Sequence, residues 1–462
     1  MYDLLIKNGR LVSSDKIVKT NLYIQNGQIA SVTESVHKAA KTFDASGLYV
    51  LPGCVDSHCH FREPGLTHKE DFSHGTAAAI IGGTTTVFDM PNTNPPLVKA
   101  EEFTAKAAAF KSKAYSDYAF WGLCLGPINN NDLQGLAAAG AIALKFFWGY
   151  GINNKTLQLI GNYKPGMPDC SPPLDDGEVF ELFEHASKTN LIFAIHAENI
   201  ELIQLMTNRV LSSGRRDYSA LLEARPNLSE VLTLQTAIAF CKATHVRLHI
   251  LHLSTAEGVN LVRNAKAQGL PLTAETCPHY LFLTNEDYDQ VGQAMKVYPP
   301  VRQKKDQQAL WAGLKDGSIS VISSDHAPHS IAEKNGDLFS VPAGSCSVEV
   351  MLPMMLNEVS NGRLTLPFVV DKLSESPAKL YNIFPKKGNL QPGADADIVL
   401  VDMNKVTRIT NDKLHSKQPL TPFAGKMITG WPVATFLRGI QIVSNGSIIH
   451  TAPSGELIKP LK

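Results

Sequence analysis

Asp56-Ser57-His58-Cys59-His60-Phe61-Arg62-Glu63-Pro64-Gly65 is the stretch on which the reading of this chain turns. It follows an apolar run, Tyr49-Val50-Leu51-Pro52-Gly53-Cys54-Val55, of the kind that forms a buried strand. Residues two apart on an extended strand face the same side. His58 and His60 can therefore reach one metal ion, and Arg62 continues along that side. Taken alone, two such histidines fit a core or a surface position equally well. What singles them out is recurrence, because further polar residues stand at the ends of other apolar strands downstream.

The same recurrence predicts the fold. Strand patterns run over 54–57, 84–90, 118–125, 141–147, 191–196, 246–252, 272–276 and 318–324. Helical patterns fall between most of them, at 69–81, 101–113, 178–188, 229–242, 257–268 and 306–314. Eight near-continuous apolar strands with crossover helices predict an α/β fold, a closed parallel (β/α)8 barrel whose strands are buried on both faces. A doubly wound open sheet is the alternative, but no glycine-rich dinucleotide loop follows the first strand. Both chain ends are β-rich instead. Short strands are expected at 3–6, 21–24, 29–32, 396–401 and 433–439, with Asn8-Gly9, Asn26-Gly27 and Asn445-Gly446 as turns. The ends are expected to pair into one small β-domain beside the barrel. The proline-rich 165–173 is expected to belong to a long loop after the fourth strand.

The bulk numbers are those of an ordinary globular protein: 462 residues, 44% apolar, 19% charged. A formal net charge of +0 argues against nucleic acid or an acidic membrane as partner, so an anionic substrate must be held by local residues. The N-terminus lacks a signal-peptide layout, and no run reaches the length of a membrane span. Seven scattered cysteines without zinc-finger spacing read as reduced thiols, and a cytoplasmic enzyme is expected.

Chemistry in such a barrel sits where the strands end. Reading those ends gives His58 and His60 on the first, Asn92 after the second and Lys145 within the fourth. His196 follows on the fifth, His252 on the sixth, and Asp325 after the eighth, ahead of His326-Ala327-Pro328-His329. Each alone has an ordinary explanation as a core histidine, a helix cap or a snorkelling lysine. So many on one rim would bury polarity without an evident partner. Four imidazoles and a carboxylate suit a borderline divalent metal, zinc foremost. A pair of metals needs a bridging anion as well. Lys145, set in Ala141-Ile142-Ala143-Leu144 and Phe146-Phe147-Trp148, is apolar enough in its surroundings to carry a depressed pKa and react with carbon dioxide as a carbamate. No Asp or Glu stands in 145–154 to serve instead. His249, three residues before His252, faces the other way and is expected to pack. His279 is expected either to line the pocket or to pack.

With these motifs assembled, the chain resembles the cyclic-amidohydrolase branch of the amidohydrolase superfamily over nearly its full length, and within it the dihydroorotases. The resemblance rests on 56–65, Thr67-His68-Lys69-Glu70-Asp71-Phe72, Gly82-Gly83-Thr84-Thr85-Thr86, Met90-Pro91-Asn92-Thr93-Asn94-Pro95-Pro96 and Ser324-Asp325-His326-Ala327-Pro328-His329. It implies a metal-dependent (β/α)8 barrel over 51–389 and a small β-sandwich domain formed by both termini, 1–50 and 390–462. It further implies that His58, His60, Lys145, His196, His252 and Asp325 bind two divalent metal ions, zinc in the first instance, with carboxylated Lys145 as bridge. Arg62, Asn92 and His329 would hold a ring carboxylate and its polar edge. The implied reaction is reversible hydrolysis of the cyclic amide of dihydroorotate to N-carbamoyl-aspartate, a step of pyrimidine biosynthesis, with Asp325 as catalytic proton carrier. Two features depart from that pattern. Tyr298 stands where many bacterial dihydroorotases carry Asn, and Tyr150 resembles the substrate-binding tyrosine of hydantoinases. Allantoinase or hydantoinase/dihydropyrimidinase is therefore the alternative. A catalytically dead relative serving as scaffold is the reading from another class, and the filled ligand positions argue against it. A small-molecule substrate and a homo-oligomer, dimer or tetramer, complete the expectations.

Overall fold

Gly53 is where the chain passes from one layer of the molecule to the other. The strands on either side of it, Tyr49–Pro52 and Cys54–Cys59, belong to different sheets. A Cβ at Gly53 would stand 1.9 Å from Thr85 Oγ1, so only glycine lets the two layers meet there. The computed structural model describes residues 1–461.

Cys54–Cys59 opens an eight-stranded parallel sheet, followed in order by Thr84–Asp89, Asp117–Leu123, Ala143–Phe147, Phe193–His196, Leu248–Ile250, Leu272–Thr276 and Val321–Ile322. The ends meet: Cys59 bridges His326 in parallel, and the His60 N–H donates to the His326 carbonyl at 2.7 Å. The result is a nearly closed (β/α)8 barrel, as the alternation of patterns predicts. All eight strands lie where expected, although the last is only two residues long. Alternate residues face opposite ways. Val87, Phe120, Leu144 and Phe193 pack in the large cluster with helix residues such as Phe72, Phe183 and Leu234. Phe88, Trp121, Ala143 and Ala194 turn the other way and pack with Tyr381. Lys145 and His196 share the parity of Ala143 and Ala194, and so face the barrel interior.

The six expected helices appear as Phe72–Ile81, Ala100–Phe110, Asp176–Ser187, Asn227–Thr244, Ala256–Ala267 and Lys304–Asp316. Their starts are set by side-chain caps. Asp71 accepts from the His74 N–H, Thr255 accepts from the Gly258 N–H, and Asp175 with Glu178 forms a capping box. Helices Ile200–Ser212 and Met351–Ser360, among others, were not anticipated.

The second layer combines both chain ends. One sheet of four strands comes from the N-terminal part alone. The other, of seven, sets Ile17–Lys19, Arg10–Val12 and Tyr49–Pro52 beside Ile398–Arg408, Met427–Leu437, Ile440–Ser444 and Ser447–Ile448, joined where Tyr49–Pro52 pairs with Ile398–Arg408. Leu4, Ile6, Leu22 and Ile24 pack against Ile398, Leu400 and Phe436 between them. Asn26-Gly27 and Asn445-Gly446 are two-residue hairpin turns with positive φ at both positions, as expected. Asn8-Gly9 is not a hairpin: Tyr2–Lys7 pairs with Asn21–Gln25, while Arg10–Val12 joins the other sheet. The 165–173 segment is not wholly irregular either, because Cys170–Ser171 pairs with Gly151–Asn153 in a small three-stranded sheet. The chain's final residues return to the barrel, where the Ile458 N–H donates to the Tyr118 carbonyl at 2.7 Å. Among the described residues no helix is long and apolar enough to cross a membrane.

Candidate active site

His58, His60 and Asp325 each offer a ligand atom within 4.8 Å of the others, all three buried. His58 is the penultimate residue of the first strand and His60 stands one residue beyond its end. Asp325 follows the eighth strand with a φ of 45°, a left-handed backbone that turns its carboxylate inward. His58 Nε2 and His60 Nε2 lie 3.3 and 3.5 Å from Asp325 Oδ1. The remaining nitrogens are held from behind. His58 Nδ1 is 2.6 Å from Glu275 Oε1, and His60 Nδ1 is 2.9 Å from Asn92 Oδ1. Oxygen partners of this kind fix ring orientation and tautomer.

His196 and His252 complete the rim from the fifth and sixth strands. His196 Nε2 lies 3.1 Å from Glu198 Oε2, which leaves Nδ1 facing His252 Nε2 at 3.0 Å. His252 has a φ of 37° and a buried Nδ1 without a hydrogen-bond partner among the described residues. Lys145 is fully buried, its Nζ likewise unpartnered among them and 4.3 Å from the centroid of the Phe147 ring.

Burial governs the electrostatics here. It lowers the Lys145 amine to about 7 and His60 to about 3, and it holds His196 and His252 below the usual imidazole range. For Asp325 burial pulls upward, but the imidazoles of His58, His60 and His252 outweigh it and hold the carboxyl well below its usual range. The rim thus presents three imidazoles, His60, His196 and His252, biased toward the neutral form, with an ionised carboxylate and an amine able to lose its proton. Divalent metals require ligands in those protonation states. Two buried nitrogens without partners, Lys145 Nζ and His252 Nδ1, add to the fit, since buried polar groups are otherwise satisfied.

Beside this cluster a cavity of about 180 Å³ is lined by Arg62, Asn92, Tyr150, Tyr298 and His329 as well as by the ligand candidates. Arg62 reaches it by a different route from the one expected. The strand has ended, and a φ of 61° swings the side chain in, rather than strand alternation. Its Nε donates to the Pro328 carbonyl at 3.2 Å, and its Nη2 is 3.3 Å from His329 Nε2. Neither neighbouring glutamate pairs with it: Glu63 binds Lys113 at 2.7 Å, and Glu70 accepts from the Lys417 N–H at 3.2 Å. Tyr150 is half-buried, its hydroxyl pushed up to about 12 by the apolar surroundings, with its ring edge-on to His196 at 5.5 Å.

His249 is buried as expected, but it is not inert packing. It sits between Thr273 Oγ1 at 2.8 Å and Glu275 Oε2 at 3.4 Å. His279 is buried outside the cavity lining, with neither ring nitrogen bonded. Sequence reasoning missed the carboxylates behind the imidazoles, Glu275 and Glu198, and the Arg225 that pairs with Glu198. Glu275 had a signal, a charge inside an otherwise uncharged buried strand. Arg225 had none.

Residues 49–442 match the sequence model of the Amidohydrolase family. The chain is 36% identical to an allantoinase of Deinococcus radiodurans, covering 99% of each chain. It is 34% identical to a dihydroorotase of Carboxydothermus hydrogenoformans, covering 95% of this chain and 97% of that one. The solved L-hydantoinase (dihydropyrimidinase) from Arthrobacter aurescens superposes with a TM-score of 0.93 at 32% identity, over 99% of this chain and 100% of that one. Names of three ring specificities thus accompany one architecture. The chain belongs to the amidohydrolase family, in its cyclic-amidohydrolase branch, and is a metal-dependent enzyme acting on cyclic amides.

Proposed function

We propose that this enzyme reversibly opens the ring of dihydroorotate to N-carbamoyl-aspartate. One observation carries the reading: Arg62 is a buried guanidinium at the cavity wall, among the described residues without a carboxylate inside ion-pair distance. A buried charge is costly unless paired, and a planar fork pairs best with a carboxylate. A ring bearing its own carboxylate supplies that partner; hydantoin and dihydropyrimidine rings do not.

His58, His60, His196, His252 and Asp325 would hold two divalent cations, zinc by the softness of the donors, with Lys145 as the bridge. The bridge forms when the neutral Lys145 amine makes an N–C bond to carbon dioxide and releases a proton, leaving a carbamate anion. Bound cations in such a site supply a Lewis acid for the ring carbonyl and lower the pKa of water. The chain's own groups do the rest. Arg62 and His329 orient the ring through its carboxylate, and Asn92 holds His60 through its oxygen while its amide nitrogen remains to donate to the ring. Asp325, ionised in this setting, takes the proton of the attacking water at a carboxylate oxygen and passes it to the leaving ring nitrogen.

A second reading, hydrolysis of hydantoin or allantoin rings, is favoured by Tyr150 beside His196 and by the names of the relatives. A panel of dihydroorotate, allantoin, hydantoin and dihydrouracil on metal-replete protein separates the two. Dihydroorotate is expected to give the highest kcat/KM. Arg62→Met should then cost about 1.5–3 kcal/mol, a roughly ten- to hundredfold rise in KM for that substrate alone. An unchanged KM would remove the carboxylate assignment.

A further inference from the structure

We propose that Tyr298, braced by Arg225, is the specificity-determining wall of the cavity and excludes rings with bulky substituents. Tyr298 lies between the seventh strand and the helix Lys304–Asp316, is half-buried, and lines the 180 Å³ cavity. That volume is below the ~300–1,000 Å³ of pockets that take drug-sized ligands, so each wall that narrows it sets a size limit.

A tyrosine on a loop would make a yielding wall if nothing stood behind it. Here the Arg225 guanidinium carbon lies 3.4 Å from the centroid of the Tyr298 ring, a face-on stack. Arg225 is itself immobilised. It pairs with the buried Glu198, and its backbone carbonyl accepts from Arg302. On the same flank, Lys296 Nζ lies 5.4 Å from the Tyr298 ring and donates to the Val341 carbonyl. Glu198 also holds His196, so the wall and a ligand candidate rest on one ion pair. Barrel order separates the two ends of the cavity. Arg62 and His329 follow the first and eighth strands, which are neighbours, whereas Tyr150 and Arg225 follow the fourth and fifth, across the barrel. Tyr298 itself follows the seventh strand, but its stack on Arg225 carries the ring to that far flank, where it meets whatever a ring seated in the cavity presents there.

The inference rests on the ring-opening reading only in taking this cavity as the place where the ring binds. Its test does not need the ring carboxylate. With metal-replete, full-length protein, kcat/KM is measured for 5-methylhydantoin and 5-benzylhydantoin; for a ring that is not turned over, its inhibition constant against a ring that is turned over replaces it. Tyr298→Ser is expected to raise the benzyl-to-methyl ratio at least tenfold. Tyr298→Phe, which keeps the ring, should leave the ratio unchanged. Arg225→Lys keeps a charge beside Glu198 but loses the flat stack, and should move the ratio about threefold in the direction of the serine variant. Thermal melting and bound-metal content are followed for every variant, so that a misfolded protein is recognised. A ratio within twofold of wild type in folded, metal-bound Tyr298→Ser overturns the inference, as does an equal shift in Tyr298→Phe. Failure of dihydroorotate in the substrate panel together with a shifted ratio would overturn the carboxylate reading and leave this one standing.

Discussion

Lys145 and Lys387 are both buried, one in the fourth barrel strand and one after the last barrel helices, and their surroundings are opposite in kind. Lys387 stands among Asp117, Asp395 and Asp397, at 2.9 Å from Asp395 and 2.6 Å from Asp397, with Arg438 balancing Asp117. Burial pulls its pKa down, but the carboxylates overcome it and hold the ammonium above its usual range. Lys145 has no such ring, and burial lowers it to about 7. Lys387 is an internal counter-ion tying barrel strand Asp117–Leu123 to the segment that leads into the terminal sheets. Lys145 is an amine able to lose its proton. Burial alone does not tell them apart; the charge around each does.

That contrast can be broken experimentally, the largest effect coming first. Lys145→Met should lower kcat/KM about a thousandfold or more, since it would remove the bridging anion proposed for a site that supplies several kcal/mol. Bound metal, measured by elemental analysis, should fall with it, and wild-type protein incubated with carbon-13 bicarbonate should show a carbamate carbon that the variant lacks. A variant retaining both metals and activity would make Lys145 merely a buried amine. Lys387→Met should do the reverse. Stranding buried carboxylates costs about 3–5 kcal/mol of stability by urea unfolding. The kcat of the folded protein should be retained, because nothing of the cavity touches that cluster. The smallest effect concerns acid. Glu198 has its pKa raised by burial but lowered more strongly by Arg225 and His196, to about 2 from 4.5. A depressed carboxylate contributes stability that is present above the ordinary glutamate range and lost as pH falls toward about 2. Melting temperature should drop across that window, and the drop should be shallower in Glu198→Gln.

The same distinction explains what could be read from the sequence. The barrel was legible because each strand is a short apolar run and each crossover has helical periodicity, both local properties. The rim was legible because His58, His60, His196, His252 and Asp325 interrupt or end those runs. Glu275 interrupts one as well, and now stands behind His58 and the backbone N–H of His252. Arg225 could not be found this way. It sits at the C-terminal end of the short helix Tyr218–Ala224, and only tertiary folding places it between Glu198 and Tyr298. Asn8-Gly9 failed for a related reason. Asn8 does adopt the left-handed backbone that suits a turn, yet local chemistry says nothing of which strands pair, and those flanking it enter different sheets. Cys170–Ser171 is simply too short to show a period.

The seam of the barrel runs through the reactive centre. Asp325 is anchored where the last strand meets the first, and a hydrogen bond there, from Ser324 Oγ to the His58 carbonyl, spans 266 residues of chain. Contacts so distant along the polypeptide are slow to form, because loop closure must come first. A nascent or C-terminally shortened chain would thus carry most of its imidazoles in place and still lack the carboxylate that completes them. Acquisition of metal becomes a report that the cylinder has shut.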